Sequence, residues 1–201
     1  VYMLYWHRLI KEVKKLLGVI MYNSKVIVVS GITAGGKTSL VKELIENVDN
    51  ACALSFDDYS IDALPSAPPM ELLLEDFKTA VNQYDITQLM DDFVLATKKC
   101  VFEFIFIDFP FGYEHDSLKP YIDTVIYVKT PLDVSFARQI IRDYSDRDKE
   151  EIINWSKTYL NYARPIFLEH EKIVSSTADY ILDGTISMTE QVNQLRYDDV
   201  I

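Results

Sequence analysis

Eight consecutive residues constrain this chain more than anything else in it: Gly31-Ile32-Thr33-Ala34-Gly35-Gly36-Lys37-Thr38, an instance of G-x-x-x-x-G-K-[ST]. The apolar run Val26-Ile27-Val28-Val29 precedes them. Residues 37–47 follow, with Leu40, Val41, Leu44 and Ile45 on one helical face and Lys42, Glu43 and Glu46 opposite. Strand, glycine-rich turn and helix, in that order, give the pattern its physical meaning. The turn curls tightly enough for successive backbone N–H groups to converge on phosphate oxygens, and the positive end of the helix adds to the anion field. Lys37 supplies a point charge for the β and γ phosphates, and the Thr38 hydroxyl is placed to ligate Mg²⁺. The candidate set for binding ATP or GTP is therefore Gly31, Ile32, Thr33, Ala34, Gly35, Gly36, Lys37, Thr38 and Ser39.

Beyond the loop, apolar runs of strand length alternate with stretches of helical period. Residues 51–56 read as a strand ending in Asp57-Asp58-Tyr59, and Pro65-Ser66-Ala67-Pro68-Pro69 as a loop. Helical patterns cover 70–81 and 86–99. Residues 101–107 are the most hydrophobic stretch, and their β-branched and aromatic content, closing at Asp108, predicts a central parallel strand. A strand over 122–128 and a helix over 132–144, opened by Pro131, follow. One long helix is expected over 149–167, with a break or bend at Pro165. A last strand over 180–182, stopped by Asp183-Gly184, and a helix over 188–197 finish the chain. The alternation predicts a three-layer α/β fold around a five-stranded parallel sheet.

Apolar residues make up 49% of the 201, enough to cover both faces of a sheet. The net charge of −11 argues against a nucleic-acid partner, which needs a basic footprint. It does not argue against a nucleotide, whose phosphates meet the local field of the loop. Cys52 and Cys100 sit at or beside apolar runs and read as buried reduced thiols, and His7, His115 and His170 form no zinc pattern. No uninterrupted apolar run of about 18 residues occurs, so no membrane span is expected, and a cytoplasmic location follows by elimination. Residues 1–20 stand apart. Leu4, Trp6, Leu9, Ile10, Val13, Leu16 and Leu17 recur at helical spacing among Arg8, Lys11, Lys14 and Lys15, giving this segment +3 and leaving −14 for the rest. Three readings stay open: a basic amphipathic helix for a membrane surface or acidic partner, a helix packed on the chain's own acidic surface, or an over-extended reading frame with Met21 as the natural start.

The kind of nucleotide protein can be narrowed. GTPase switches need a base-reading N-K-x-D and a D-x-x-G, but Val128 runs into Lys129-Thr130-Pro131, and Asp108 precedes Phe109-Pro110-Phe111-Gly112. Large motor and transporter ATPases carry far more sequence around the core. Four segments, in order, point elsewhere. They are the loop with its helix, VSGITAGGKTSLVKEL; Leu54-Ser55-Phe56-Asp57-Asp58-Tyr59; Thr130-Pro131-Leu132-Asp133 running into Arg138 and Arg142-Asp143; and Tyr159, Pro165 and Glu169 followed by Ala178-Asp179-Tyr180-Ile181. Over residues 25–184 they resemble the uridine kinase and nicotinamide riboside kinase group of P-loop kinases, kin also to phosphoribulokinase and pantothenate kinase.

That resemblance implies an N-terminal extension over 1–20 and a P-loop kinase domain over 21–201. It implies transfer of the γ-phosphate of ATP, with Mg²⁺, to a hydroxyl of a small-molecule acceptor: a nucleoside or other riboside first, a small sugar or hydroxy acid as the alternative. A non-catalytic ATP-binding regulatory protein is the competing class. Asp57 matches the family's catalytic base, with Lys37 on the phosphates. Arg138 and Arg142 fit the arginines that close over them, with Arg147 a further candidate. Asp108 stands in a Walker-B-like place, to hold Mg²⁺ through water or to contact the substrate, although the family more often has Glu then Gly where this chain has Asp108-Phe109-Pro110. Asp58, Tyr59, Tyr113 and His115 are candidate acceptor contacts, and Asp183-Gly184 either borders the adenine or is a plain turn. The segment that grips the nucleoside in uridine kinases is missing: only Ala96-Thr97-Lys98-Lys99-Cys100 separates helix from strand. Replacement walls are expected from Tyr59, the proline loop and residues 109–115. Association into homo-oligomers, common among nucleoside kinases, is a further implication.

Overall fold

The computed structural model describes residues 24–59, 61, 67–99 and 101–201; the expectations placed on residues 1–20, Met21, Cys100 and the start of the proline loop lie outside the described residues. The strands are β1 (Lys25–Ser30), β2 (Ala51–Ser55), β3 (Phe104–Asp108), β4 (Thr124–Lys129) and β5 (Tyr180–Asp183), all parallel, in the order β2-β3-β1-β4-β5. The helices are α1 (Lys37–Asn47), α2 (Leu72–Glu75), α3 (Phe77–Val81), α4 (Thr87–Lys98), α5 (Leu132–Tyr144), α6 (Lys149–Thr158), α7 (Arg164–Thr177) and α8 (Met188–Tyr197).

Alternation along the central strand fixes the layers, because successive side chains point to opposite faces. Val26 and Val28 join Ile105, Ile107, Val125 and Tyr127 in one core, closed by Leu73, Phe77, Leu89, Phe93 and Val174 from α2, α3, α4 and α7. Ile27 and Val29 join Phe106, Ile126 and Val128 in the other, closed by Leu40 and Leu44 of α1 and Val192 and Leu195 of α8. The three-layer α/β fold with a five-stranded parallel sheet is the architecture the sequence predicts. Helices α5 and α6 supply nothing to either core among the described residues, and α6 buries no side chain at all. Of the two, α5 lends Arg138 and Arg142 to the cavity described below. No helix among the described residues is long and apolar enough to cross a membrane.

Three expected elements differ, each for a local reason. The stretch 70–81 is two short helices, because the Asp76 carboxylate accepts from the Thr79 N–H at 3.1 Å and from its hydroxyl at 2.7 Å and so caps a second start. The strand expected from residue 101 begins at Phe104; Val101 and Glu103 are exposed, and the Glu103 N–H is taken by the Asn50 carbonyl. The long helix runs to Thr177 rather than 167, and its break is a π turn, Tyr159–Ala163, just ahead of Pro165. Pro165 has no N–H for the carbonyl four residues back, and the Arg164 N–H reaches instead to the Tyr159 carbonyl, five back.

Candidate active site

The loop between β1 and α1 is pinned from behind. Gly31 has φ +148°, and a Cβ there would stand 2.7 Å from the Val128 carbonyl oxygen, so the first position of the loop tolerates no side chain. Gly35 gives its N–H to the Ile32 carbonyl at 3.0 Å and accepts from the buried Thr130 hydroxyl at 2.6 Å. Ala34 holds a left-handed φ of 55°, the kind of bend that points consecutive amides to one side. Gly31, Ile32, Thr33, Ala34, Gly36, Lys37, Thr38 and Ser39 line a cavity of about 600 Å³; Gly35, spent on bracing the loop, does not.

Parallel strands deliver the charged groups to the same end of the sheet, where ligands of such sheets sit. In the β1–β3 register Val29 lies beside Asp108, so the last residue of β3 faces the start of the loop. The Thr38 hydroxyl donates to Asp108 Oδ2 at 2.5 Å. The tight turn after β2, Phe56–Tyr59, carries Asp57 to the cavity, and α5 brings Arg138 and Arg142. Burial pushes the Asp108 carboxyl up from its ordinary value, against the opposing pull of the Lys37 ammonium and the Thr38 hydrogen bond. Burial likewise lowers the Lys37 ammonium, while Asp108 and then Asp57 hold it charged and Arg142 opposes them. Lys37 Nζ rests on the Ile32 carbonyl at 3.0 Å. Arg142 makes a two-point ion pair with Asp143, at 2.7 and 2.9 Å, and still lines the cavity; that pair raises its pKa. Two carboxylates and three cations thus share one mouth.

These groups suit a magnesium nucleotide. Among the described residues no cluster of three metal-ligating side chains exists, and Mg²⁺ is commonly held by one or two protein oxygens together with substrate phosphates. Thr38 and Asp108 are such a pair, adjacent and turned to one another.

The opposite wall is apolar and aromatic, formed by Phe56, Leu73, Phe77, Tyr84, Pro110, Phe111, Ile166, Phe167 and His170. Tyr84 and Phe111 stack at 5.1 Å, and Phe56 meets each edge-on at 5.7 Å. Most of this wall is absent from the sequence reading, which drew on Tyr59, the proline loop and residues 109–115. His170 is 6% exposed; its Nε2–H donates to the Pro110 carbonyl at 2.8 Å, leaving Nδ1 to face the Tyr127 hydroxyl at 3.5 Å. Burial lowers its pKa to about 4, so the ring is neutral. The signal was present: Ile166, His170 and Val174 recur every fourth residue and mark a buried stripe with a histidine in it.

None of the four candidate acceptor contacts is brought to the cavity wall, and neither is Arg147. Asp58 is exposed. Tyr59 donates to Asp92 at 3.0 Å, and partial burial beside that carboxylate pushes its hydroxyl up to about 12. Tyr113 donates to Asp179 at 2.7 Å. His115 is buried, with Nε2 on the Tyr84 carbonyl at 3.1 Å. Arg147 pairs with Glu151 at 3.5 Å. Gly184 packs behind the loop, its N–H on the Lys129 carbonyl at 2.8 Å, and it is Met188 of α8 that reaches the cavity. Cys52 is a half-buried free thiol whose pKa burial raises.

Comparison with known proteins agrees with this geometry. The chain is 26% identical over 184 residues to the uridine kinase of Staphylococcus haemolyticus, covering 80% of this chain and 86% of that one. It is 27% identical over 184 residues, with the same coverage, to the uridine kinase of Macrococcus caseolyticus. The chain is a distant homologue of uridine-kinase-like proteins. No protein-family model matches it. Among solved structures, deoxyadenosine kinase from M. mycoides superposes with a TM-score of 0.50 at 14% identity, over 88% of this chain and 100% of that one, a likeness of fold. The fold and the distant homology together support a P-loop kinase-type enzyme.

Proposed function

We propose that this chain is a Mg²⁺-dependent ATP phosphotransferase acting on a hydroxyl of a small metabolite, a nucleoside or other riboside. The observation that carries the reading is the convergence of Lys37, Thr38, Asp57, Asp108 and Arg142 on one cavity at the carboxyl ends of β1, β2 and β3. Relatives matched over 80% of this chain are called uridine kinases, which supports a riboside acceptor. The aromatic wall supports it further, since stacked rings favour a flat body over a free sugar or a small hydroxy acid.

Each residue has a task that its environment explains. The loop amides and Lys37 cradle the β and γ phosphates. Thr38 and Asp108 hold the metal, which when bound neutralises charge building on the phosphate oxygens. Asp57 takes the acceptor hydroxyl's proton as that oxygen bonds to the γ-phosphorus and the bond from phosphorus to the bridging oxygen breaks, releasing ADP. Arg138 and Arg142 place guanidinium forks over the equatorial oxygens. Tyr84 and Phe111 support the acceptor's ring.

The test is Mg²⁺-dependent ADP release across nucleosides, other ribosides, free sugars and hydroxy acids, with Asp57→Asn alongside. Turnover stimulated by a riboside and lowered by about 10²- to 10⁴-fold in the variant, with nucleotide binding retained, is expected. Stimulation by a sugar or hydroxy acid alone would refute the acceptor. Tight ATP binding with no stimulated turnover anywhere in the panel would favour a regulatory nucleotide-binding protein.

A further inference from the structure

The helix that carries the arginines meets the Tyr159 side chain at its foot. Tyr159 sits in the π turn between α6 and α7 and is 5% exposed. Its hydroxyl donates at 3.2 Å to the carbonyl of Leu132, the first residue of α5, and its ring lies 4.4 Å from that of Phe136 one turn on. On its other side the ring meets Phe167 at 6.1 Å, and Phe167 lines the cavity on the acceptor wall. Tyr159 therefore touches both the arginine helix and the wall against which an acceptor would rest. Neither α5 nor α6 adds a residue to the two cores among the described residues, and the Tyr159 contacts join the first turn of α5 to the turn between α6 and α7. It falls in a π turn, a local irregularity that is rare in helices and concentrated at functional sites.

We propose that Tyr159 is a positioning residue that couples acceptor occupancy at Phe167 to the placement of Arg138 and Arg142, a role that rests on the kinase reading above. The lever is long. Arg142 lies ten residues beyond Leu132, about 15 Å along the helix axis. A tilt of about 5° at the foot moves it by about 1 Å, a displacement able to cost up to about 100-fold in rate.

The experiment reads ADP affinity with Mg²⁺, alone and with aluminium fluoride to mimic the transferring phosphoryl group, using uridine as the acceptor probe. Wild type is expected to bind ADP more tightly with aluminium fluoride present. Tyr159→Leu should leave ADP affinity alone within about 2-fold and cut the added tightening by about 10-fold, while Tyr159→Phe, which keeps the ring, should lose about 3-fold. In an Arg138→Met/Arg142→Met background the tyrosine substitution should cost nothing more. Equal loss with and without aluminium fluoride, or losses that add to those of the arginine variants, would overturn the coupling while leaving the kinase reading intact. A wild type that aluminium fluoride does not tighten would overturn both. Thermal unfolding of each variant separates these outcomes from a general loss of fold.

Discussion

The buried histidine of the cavity wall makes a stability prediction that can be worked from its surroundings. His170 is 6% exposed, its Nε2–H is committed to the Pro110 carbonyl, and its pKa falls from 6.5 to about 4, chiefly through burial and secondarily through the Lys37 ammonium. Phe77 and Phe111 pack against the ring at 5.9 and 6.2 Å, and the Tyr127 hydroxyl faces Nδ1. Burial first and Glu171 second raise the pKa of the Tyr127 hydroxyl, so it meets the imidazole as a neutral phenol. A histidine whose folded pKa lies below its unfolded one binds fewer protons when folded. Stability is then full above about 6.5, falls as the pH drops through that value, and levels off below about 4.

Between pH 7 and pH 5 the loss assigned to this one group is on the order of 2 kcal/mol, a large part of the stability of a domain. Urea denaturation at both pH values, for wild type and His170→Gln, isolates it. Glutamine keeps an N–H for the Pro110 carbonyl but has no proton to gain. His115 and Asp108, whose pKa values are lowered and raised by burial, contribute to both proteins and cancel in the difference. Wild type should lose about 2 kcal/mol more than the variant over this interval. Parallel losses, within about 0.5 kcal/mol, would refute the neutral buried imidazole and with it the claim that burial rather than charge pairing governs that wall.

Other consequences of the geometry are direct. Gly184→Ala places a Cβ 1.8 Å from the Thr130 hydroxyl and 3.1 Å from the Gly35 carbonyl, so it should displace the loop from behind. A cost of about 1–3 kcal/mol in chemical denaturation and at least about 10-fold weaker ATP binding by calorimetry are expected. Phe93→Ala empties a fully buried site on α4 against Tyr121 and should cost about 3–5 kcal/mol in urea denaturation, with ATP affinity little changed because the residue does not line the cavity. Thr38→Val removes the hydroxyl that serves Asp108, so the Mg²⁺ concentration for half-maximal turnover should rise by about 10-fold or more.

How much of this was legible depends on how far apart in the chain the cooperating residues lie. The bounds of α1, α5 and α8 match the sequence pattern because each is announced locally, by the loop glycines, by Pro131 and by the turn after β5. The phosphate half of the cavity is equally local, nearly all of it within residues 31–39. Elements and side chains whose placement turns on particular polar contacts are not read from apolar periodicity. The apolar pattern over 70–81 is continuous, and only the Asp76–Thr79 side-chain bonds split it. Tyr113 and His115 look available in a loop, yet Asp179, 66 residues from Tyr113, and the Tyr84 carbonyl, 31 residues from His115, claim them.

The same reasoning explains why a single sequence points to phosphate chemistry more sharply than to any acceptor. Phosphate chemistry needs a fixed stereochemical frame, and backbone amides, one lysine and one hydroxyl at set spacing supply it. An acceptor wall needs only shape and polarity, which many sequences provide. Here the turn after β2, α2, α3, the loop before α4, the loop after β3 and α7 each lend one to three side chains, and none of them carries a spacing that names its neighbour. His170 shows the cost: on its own helix it is a histidine in an apolar stripe, and only the Pro110 carbonyl, 60 residues earlier, makes it part of a site. Substrate choice in such a fold is accordingly free to change while the loop stays the same, and variation of Phe56, Tyr84, Phe111 and Phe167 is where a change of acceptor would be written.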